Sequence, residues 1–168
     1  MQGKNYKHWI SVDDHKRCKP CKDNHGKIFH IDDVPKTDYR LHEHCRCLIV
    51  WMQAITAGKA TKKGNDGADY WLKYYNELPD YYITEEDAEQ LGWKSKKGNF
   101  HIVAPNKMLT KGEYKNKNGH LPLENGRFWY EADINYTTGY RKEDRVVFSN
   151  DGLIFVTFDH YKTFTEII

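Results

Sequence analysis

The sequence predicts an α+β domain, helices first and an antiparallel β-sheet after them, preceded by a small cysteine- and histidine-rich module. Three observations predict this. Residues 129–161 hold β-rich runs with polar and apolar positions alternating at period two, and residues 68–92 carry apolar side chains at helical spacing with capping signals. All four cysteines and six of the nine histidines fall in the first 47 residues. The division expected is a module over residues 1–57, a linker over 58–66 and a folded domain over 67–168.

Composition bounds the function classes. At 168 residues and 39% hydrophobic, with twelve tyrosines, the chain is a folded protein and not a disordered one. No apolar run approaches the ~18 residues of a membrane span, so no membrane partner is expected. The opening Met1 to Trp9 lacks the apolar centre of a signal peptide, which points to export by other means or to a piece of a longer protein. Residues 1–64 hold 13 Lys+Arg and 7 Asp+Glu, a balance of +6, while residues 65–168 hold 13 and 17, a balance of −4. Any anion-binding surface in the second part must therefore be focused in a cleft.

The module's signature is Cys18-Lys-Pro-Cys21 followed by His42-Glu-His44-Cys45-Arg-Cys47. Paired clusters of this kind suit a structural zinc ion, since thiolates and imidazoles bind it tetrahedrally and the binding energy becomes folding energy. The candidate ligands are Cys18, Cys21, His42, Cys45 and Cys47. On a strand Cys45 and Cys47 would face opposite ways, so His42 or His44 could replace one of them. Two disulfides, or free buried thiols, are the alternative. A fold of some fifty residues needs such a staple.

Ala57 to Asn65 is lysine-rich and glycine-punctuated, the composition of a linker. Beyond it, Trp71, Leu72, Tyr74, Tyr75 and Leu78 recur at helical spacing, so a helix is expected from Ala68 to Leu78, ended by Pro79, with those aromatics in the core. A second helix starts at Thr84 as N-cap, with Asp87 three residues on, Ile83 and Ala88 as a hydrophobic staple, and Gly92 past its end. In Glu131-Ala132-Asp133-Ile134-Asn135-Tyr136, Glu131, Asp133 and Asn135 share one strand face. Arg145 to Phe148 forms a second strand, and Asn150-Asp151-Gly152 turns it into a third, Leu153 to Val156.

From about Gly67 onward, GADYWLKYYNELPDYYITEEDAEQLGW together with Trp129 to Phe164 resembles the barnase family of guanyl-preferring bacterial ribonucleases. The resemblance implies Glu131 as general base, His160 as general acid, Arg141 and Arg145 as phosphate-binding groups and Tyr161 as a substrate contact. It also implies RNA as substrate, no catalytic cofactor and an inhibitor of the barstar kind. The chemistry suits the residue types. The 2′-hydroxyl of RNA is a nucleophile once a base takes its proton and an acid supplies the leaving oxygen, while guanidinium groups stabilise charge growing on the phosphoryl oxygens. On the residues alone, Glu131, Arg141 and Arg145 could equally form a structural ion-pair network with Asp133 and Asp144.

Two positions depart from the family pattern. Glu85 stands where the family usually carries a lysine that neutralises the scissile phosphate. At ~5 Å and an effective dielectric of ~20, each like-charge pair costs about 3 kcal/mol, a large loss if uncompensated. The expectation is that Glu85 stabilises the helix N-terminus and turns away from substrate, with Lys94, Lys96 or Lys97 as replacement cations. The guanine-reading loop is Tyr114-Lys115-Asn116-Lys117-Asn118-Gly119-His120-Leu121-Pro122, with Asn118 in place of an acid, which predicts relaxed or altered base preference.

Residues 8–51 resemble the C-terminal part of phage Mu F-type head morphogenesis proteins through Trp9, Asp13 or Asp14, Arg17, Cys18, Cys21, Gly26 and Cys45-Arg46-Cys47. That implies a delivery or assembly context. The expectation is a secreted or delivered toxin-like endoribonuclease, monomeric, acting in the cytoplasm of a target cell. A ribonuclease fold used only for binding or assembly, and a zinc-ribbon DNA binder, are the competing expectations.

Overall fold

The computed structural model describes residues 2–33 and 41–168; residues 34–40 of the expected 1–57 module lie outside them. Strands are β1 (Gln2–Ile10), β2 (Ile28–His30), β3 (Leu48–Ile55), β4 (Tyr82–Thr84), β5 (Met108–Tyr114), β6 (Trp129–Asp133), β7 (Arg145–Ser149), β8 (Ile154–Thr157) and β9 (Thr165–Ile167). Helices are α1 (Lys19–Asn24), α2 (Ala68–Tyr75), α3 (Glu85–Gln90) and α4 (Phe100–Val103). Among the described residues the strands form one sheet in the order β2-β1-β3-β9-β8-β7-β6-β5-β4. It is not purely antiparallel as expected, because β3 pairs β9 and β4 pairs β5 in parallel.

Both faces of the central strands are covered, which is why β8 is buried at all four positions instead of alternating. On one face Ala132, Ile134, Val146, Ile154 and Val156 pack with Ala68 and Leu72 of α2. On the other, Trp129, Val147, Phe155 and Phe164 pack with Tyr6, Ile28 and Met52 from the N-terminal strands. The N-terminal segment thus extends the sheet and shares its core. Its β3 covers the edge of β9, which would otherwise present unpaired backbone groups. A smaller core of Ala88, Trp93, Phe100, Met108, Leu109 and Tyr136 seats α3 and α4.

Within residues 58–66, the expected linker, the chain forms a tied corner. The fully buried Asp69 carboxylate accepts hydrogen bonds from the amides of Gly58 (2.8 Å) and Ala60 (3.0 Å) and from the Thr61 hydroxyl (2.9 Å). Polar composition signals solvation, but a buried carboxylate at the second residue of the next helix can organise the same backbone.

The capping box on Thr84 and Asp87 forms as read: Thr84 Oγ1 accepts from the Asp87 amide at 3.1 Å, and Ile83 packs beside Ala88. Helix α2 is shorter than expected, ending at Asn76 in the left-handed region (φ 58°) rather than at Pro79. Two turns present one buried stripe, Ala68 and Leu72. Tyr74 and Tyr75 are therefore exposed, packing on Tyr70 and Trp71 at the surface instead of entering the core. The hairpin through Asn150-Asp151-Gly152 forms as read, with Phe148 opposite Ile154. Strand β6 stops at Asp133, where Asn135 turns left-handed and donates to Asp144 at 2.9 Å. Asn135 thereby leaves the face shared by Glu131 and Asp133.

Candidate active site

Glu131 lies mid-strand in β6, opposite Val147 of β7, and its Oε2 accepts a short hydrogen bond from the Tyr161 hydroxyl. His160 and Tyr161 follow β8 on a turn in which both have positive φ (56° and 67°). Asp159 holds that turn: its Oδ1 accepts from the amides of Lys162 (3.1 Å) and Thr163 (2.9 Å) and from the Thr157 hydroxyl (2.9 Å). Burial alone would raise the Asp159 pKa, but these donors and the Thr163 hydroxyl outweigh it and hold the carboxyl below its ordinary range. The exposed His160 ring sits 4.9 Å from the Tyr161 ring. Tyr161 thus touches the Glu131 carboxylate with its hydroxyl and the ring of its chain neighbour His160 with its own ring. Burial, and then the bond to Glu131, push the Tyr161 hydroxyl well above its usual pKa, so it stays a neutral donor.

Both arginines converge on Asp133, which is 2% exposed. Arg141 grips it with two bonds, Nε to Oδ2 (2.7 Å) and Nη2 to Oδ1 (2.6 Å). Arg145 Nε lies 3.0 Å from Oδ1, paired by charge, while its Nη1 donates to the carbonyls of Lys142 (2.6 Å) and Asp144 (2.7 Å). The ion-pair network allowed by the sequence thus exists, but Glu131 is engaged by Tyr161 and not by a guanidinium within ion-pair distance among the described residues. Two guanidiniums on one carboxylate leave one net positive charge beside Glu131. Such a fixed, partly desolvated charge suits an anionic ester.

Glu85 pairs with Lys111 at 3.4 Å. Lys111 is the extra residue of a β-bulge: Thr110 opposes Ala132 and Gly112 opposes Glu131, so Lys111 has no partner in the ladder. Sequence reasoning named Lys94, Lys96 or Lys97 as replacement cations for the phosphate and did not single out Lys111 as the partner of Glu85. The available signal was Gly112, with φ +71°, inside a strand pattern. With Glu85 42% and Lys111 35% exposed, solvent screens the pair, and an effect of about 1 kcal/mol is appropriate. Lys111→Met is expected to lower kcat/KM on a dinucleotide about fivefold and Glu85→Lys to raise it; equal rates in both variants would show that this rim does not meet the phosphate.

In the loop, Tyr114 stacks on Tyr161 with ring centroids 5.1 Å apart. Lys115 pairs with Glu113 at 2.8 Å, and Lys117 is exposed. Asn116 spends its side chain on Leu121, Nδ2 donating to the carbonyl and Oδ1 accepting from the amide, each at 3.0 Å. Asn118 Oδ1 accepts from the His120 amide (3.1 Å), and its Nδ2 is 3.1 Å from His120 Nδ1. Tyr114 thus joins the Glu131 site directly, whereas Asn116 and Asn118 shape the loop.

The cysteine cluster assembles as two overlapping groups, Cys18-Cys21-His42 and Cys21-Cys45-Cys47, with ligand atoms within 4.8 Å of one another in each. Cys45 and Cys47 precede β3 rather than lying on a strand, so both turn inward and are buried. Cys18 and Cys21 Sγ lie 3.2 and 3.4 Å from His42 Nε2, and Cys21 and Cys45 Sγ are 3.8 Å apart. A tetrahedral ion with Zn–S bonds of ~2.3 Å sets its sulfurs about 3.8 Å apart, so the donors fit zinc. All four thiols are free of disulfides. The His44 side chain is 90% exposed and stands outside both groups.

The family model described as ribonuclease matches residues 59–168. The proteins named Ribonuclease from Bacillus intermedius and Bacillus pumilus are each 50% identical over 102 residues, covering 61% of this chain and 63% of theirs. That from Heyndrickxia coagulans is 49% identical over 102 residues, covering 61% of this chain and 94% of its own. The chain thus spans 63% of the length of the first two relatives. The matched region contains Glu131, Arg141, Arg145, His160 and Tyr161, and by that match the chain belongs to the ribonuclease family.

Proposed function

We propose that this protein is an endoribonuclease that cleaves single-stranded RNA by transesterification, with no metal ion in the chemistry. Glu131 takes the 2′-hydroxyl proton as the 2′-oxygen bonds to phosphorus. The bond to the 5′-oxygen breaks, and His160 gives that oxygen a proton, leaving a 2′,3′-cyclic phosphate. Slower hydrolysis of the cyclic product reverses the two roles. Arg141 and Arg145 supply the positive charge for the phosphoryl oxygens. The observation that carries the reading is the single tyrosine, Tyr161, whose hydroxyl reaches Glu131 while its ring lies 4.9 Å from that of His160.

The remaining parts of the proposal follow the same resemblances. The enzyme acts as a secreted or delivered toxin, works as a monomer, has relaxed or altered guanine preference and is restrained by a barstar-like inhibitor. Residues 8–51, with their head-morphogenesis likeness, serve delivery or assembly. A structural zinc sits on four of Cys18, Cys21, His42, Cys45 and Cys47.

One experiment tests the core of this. Purified protein is incubated with single-stranded RNA either in buffer free of added divalent cations or in the same buffer with magnesium, and the product ends are identified. Cyclic phosphate ends at a rate independent of magnesium are expected; a magnesium requirement would refute the metal-free mechanism, and intact RNA under both conditions would leave a binding role. Elemental analysis of the same preparation is expected to find one zinc per chain, lost in Cys21→Ser because Cys21 belongs to both ligand groups.

A further inference from the structure

We infer that the N-terminal segment clamps the loop that meets the base, and that His120 is the positioning residue through which it does so. This rests on the ribonuclease reading, and nothing in the family match extends to the clamp, whose one jaw lies before residue 59.

The contact has two parts. The amide of Ile28 in β2 donates to the His120 carbonyl at 2.8 Å, tying loop backbone to strand backbone. The His120 ring lies against Gly26: a Cβ built there would sit 2.9 Å from Cε1, 3.1 Å from Nδ1 and 3.2 Å from Nε2. Gly26 also has φ +83°, so both space and backbone conformation demand glycine. Gly26 is itself fixed, its amide donating to the Trp9 carbonyl at 2.8 Å while the Trp9 amide donates to the Lys27 carbonyl at 3.0 Å. Trp9 packs with Cys21, Cys45 and Cys47, so the clamp is continuous with the cysteine cluster.

The clamp decides what the loop can offer a base. Burial, then His25 and Lys27, lower the His120 pKa, favouring the neutral ring, which has one acceptor nitrogen. That acceptor takes the Asn118 amide group at 3.1 Å, while Asn118 Oδ1 takes the His120 amide. Asn118, the residue standing where the family carries its base-reading acid, is thus folded back onto His120 at both ends. Releasing His120 frees the Asn118 amide, and the preference among bases should move with it.

The test uses the full chain and two dinucleoside monophosphates that differ only in guanosine or adenosine on the 5′ side. In His120→Ala the ratio of kcat/KM for the two is expected to change about tenfold, through KM, with His120→Gln nearer the original ratio because it keeps an acceptor. Amide hydrogen exchange of residues 116–121 is expected to quicken at least tenfold in both His120→Ala and Gly26→Ala. A merely structural role would lower both substrates equally. An unchanged ratio, or unchanged exchange in that loop, would overturn the inference, whereas a wild-type protein that leaves both substrates and RNA intact overturns the ribonuclease reading; the wild-type rate tells the two apart.

Discussion

His160→Ala is expected to lower kcat on RNA by about 10²- to 10⁴-fold, the range for removal of a positioned general acid. The stability of the variant should stay close to that of the parent, because the ring is exposed and the turn beneath it is held by Asp159 and Thr157 and not by the imidazole. Glu131→Gln is expected to fall in the same range, since an amide keeps the shape but cannot take a proton from the 2′-hydroxyl. The two losses should not add in the double variant, because acid and base serve one step. A substrate with an activated leaving group sharpens the test. It needs little protonation, so it should largely restore His160→Ala and leave Glu131→Gln impaired. Cleavage of RNA by His160→Ala at the wild-type rate would remove the imidazole from the mechanism.

Asp133→Ala is expected to destabilise the fold by about 3–5 kcal/mol, the cost of leaving buried charge without its partner. Here two guanidiniums would lose the carboxylate at once, and Arg145 is only 5% exposed. Chemical denaturation would read the loss as a fall in midpoint with little change in slope. Asp133→Asn should cost less, since it retains acceptor capacity on one side, but two unneutralised arginines would then repel each other. The activity of any folded fraction should also drop, because Arg141 and Arg145 lose the group that orients them toward Glu131. A loss below 1 kcal/mol would mean that water or another acid replaces Asp133, contrary to its burial.

The local features were written in the sequence. Period two placed Glu131 and Asp133 on one face, the Thr84 capping box started α3 where read, and Asn150-Asp151-Gly152 turned β7 into β8. These depend on neighbours within a few residues, where side-chain chemistry acts directly on backbone geometry. The family likeness carried the expected roles of Glu131 and His160, since no spacing alone could have separated Glu131, Arg141 and Arg145 from a structural ion-pair network.

What only the tertiary structure decided involves partners far apart in the chain. That β3 adds to β9, that Asp69 ties the supposed linker, and that the bulge at Lys111 brings a cation to Glu85 all rest on backbone groups finding partners, and backbone groups are alike in every sequence. The same holds for Gly26 and His120, 94 positions apart by their numbers, which meet because β2 lies beside the loop. Side-chain pattern specifies which face of a strand is buried; which strand, loop or carboxylate lies against it is settled only when the whole chain has competed for the same core.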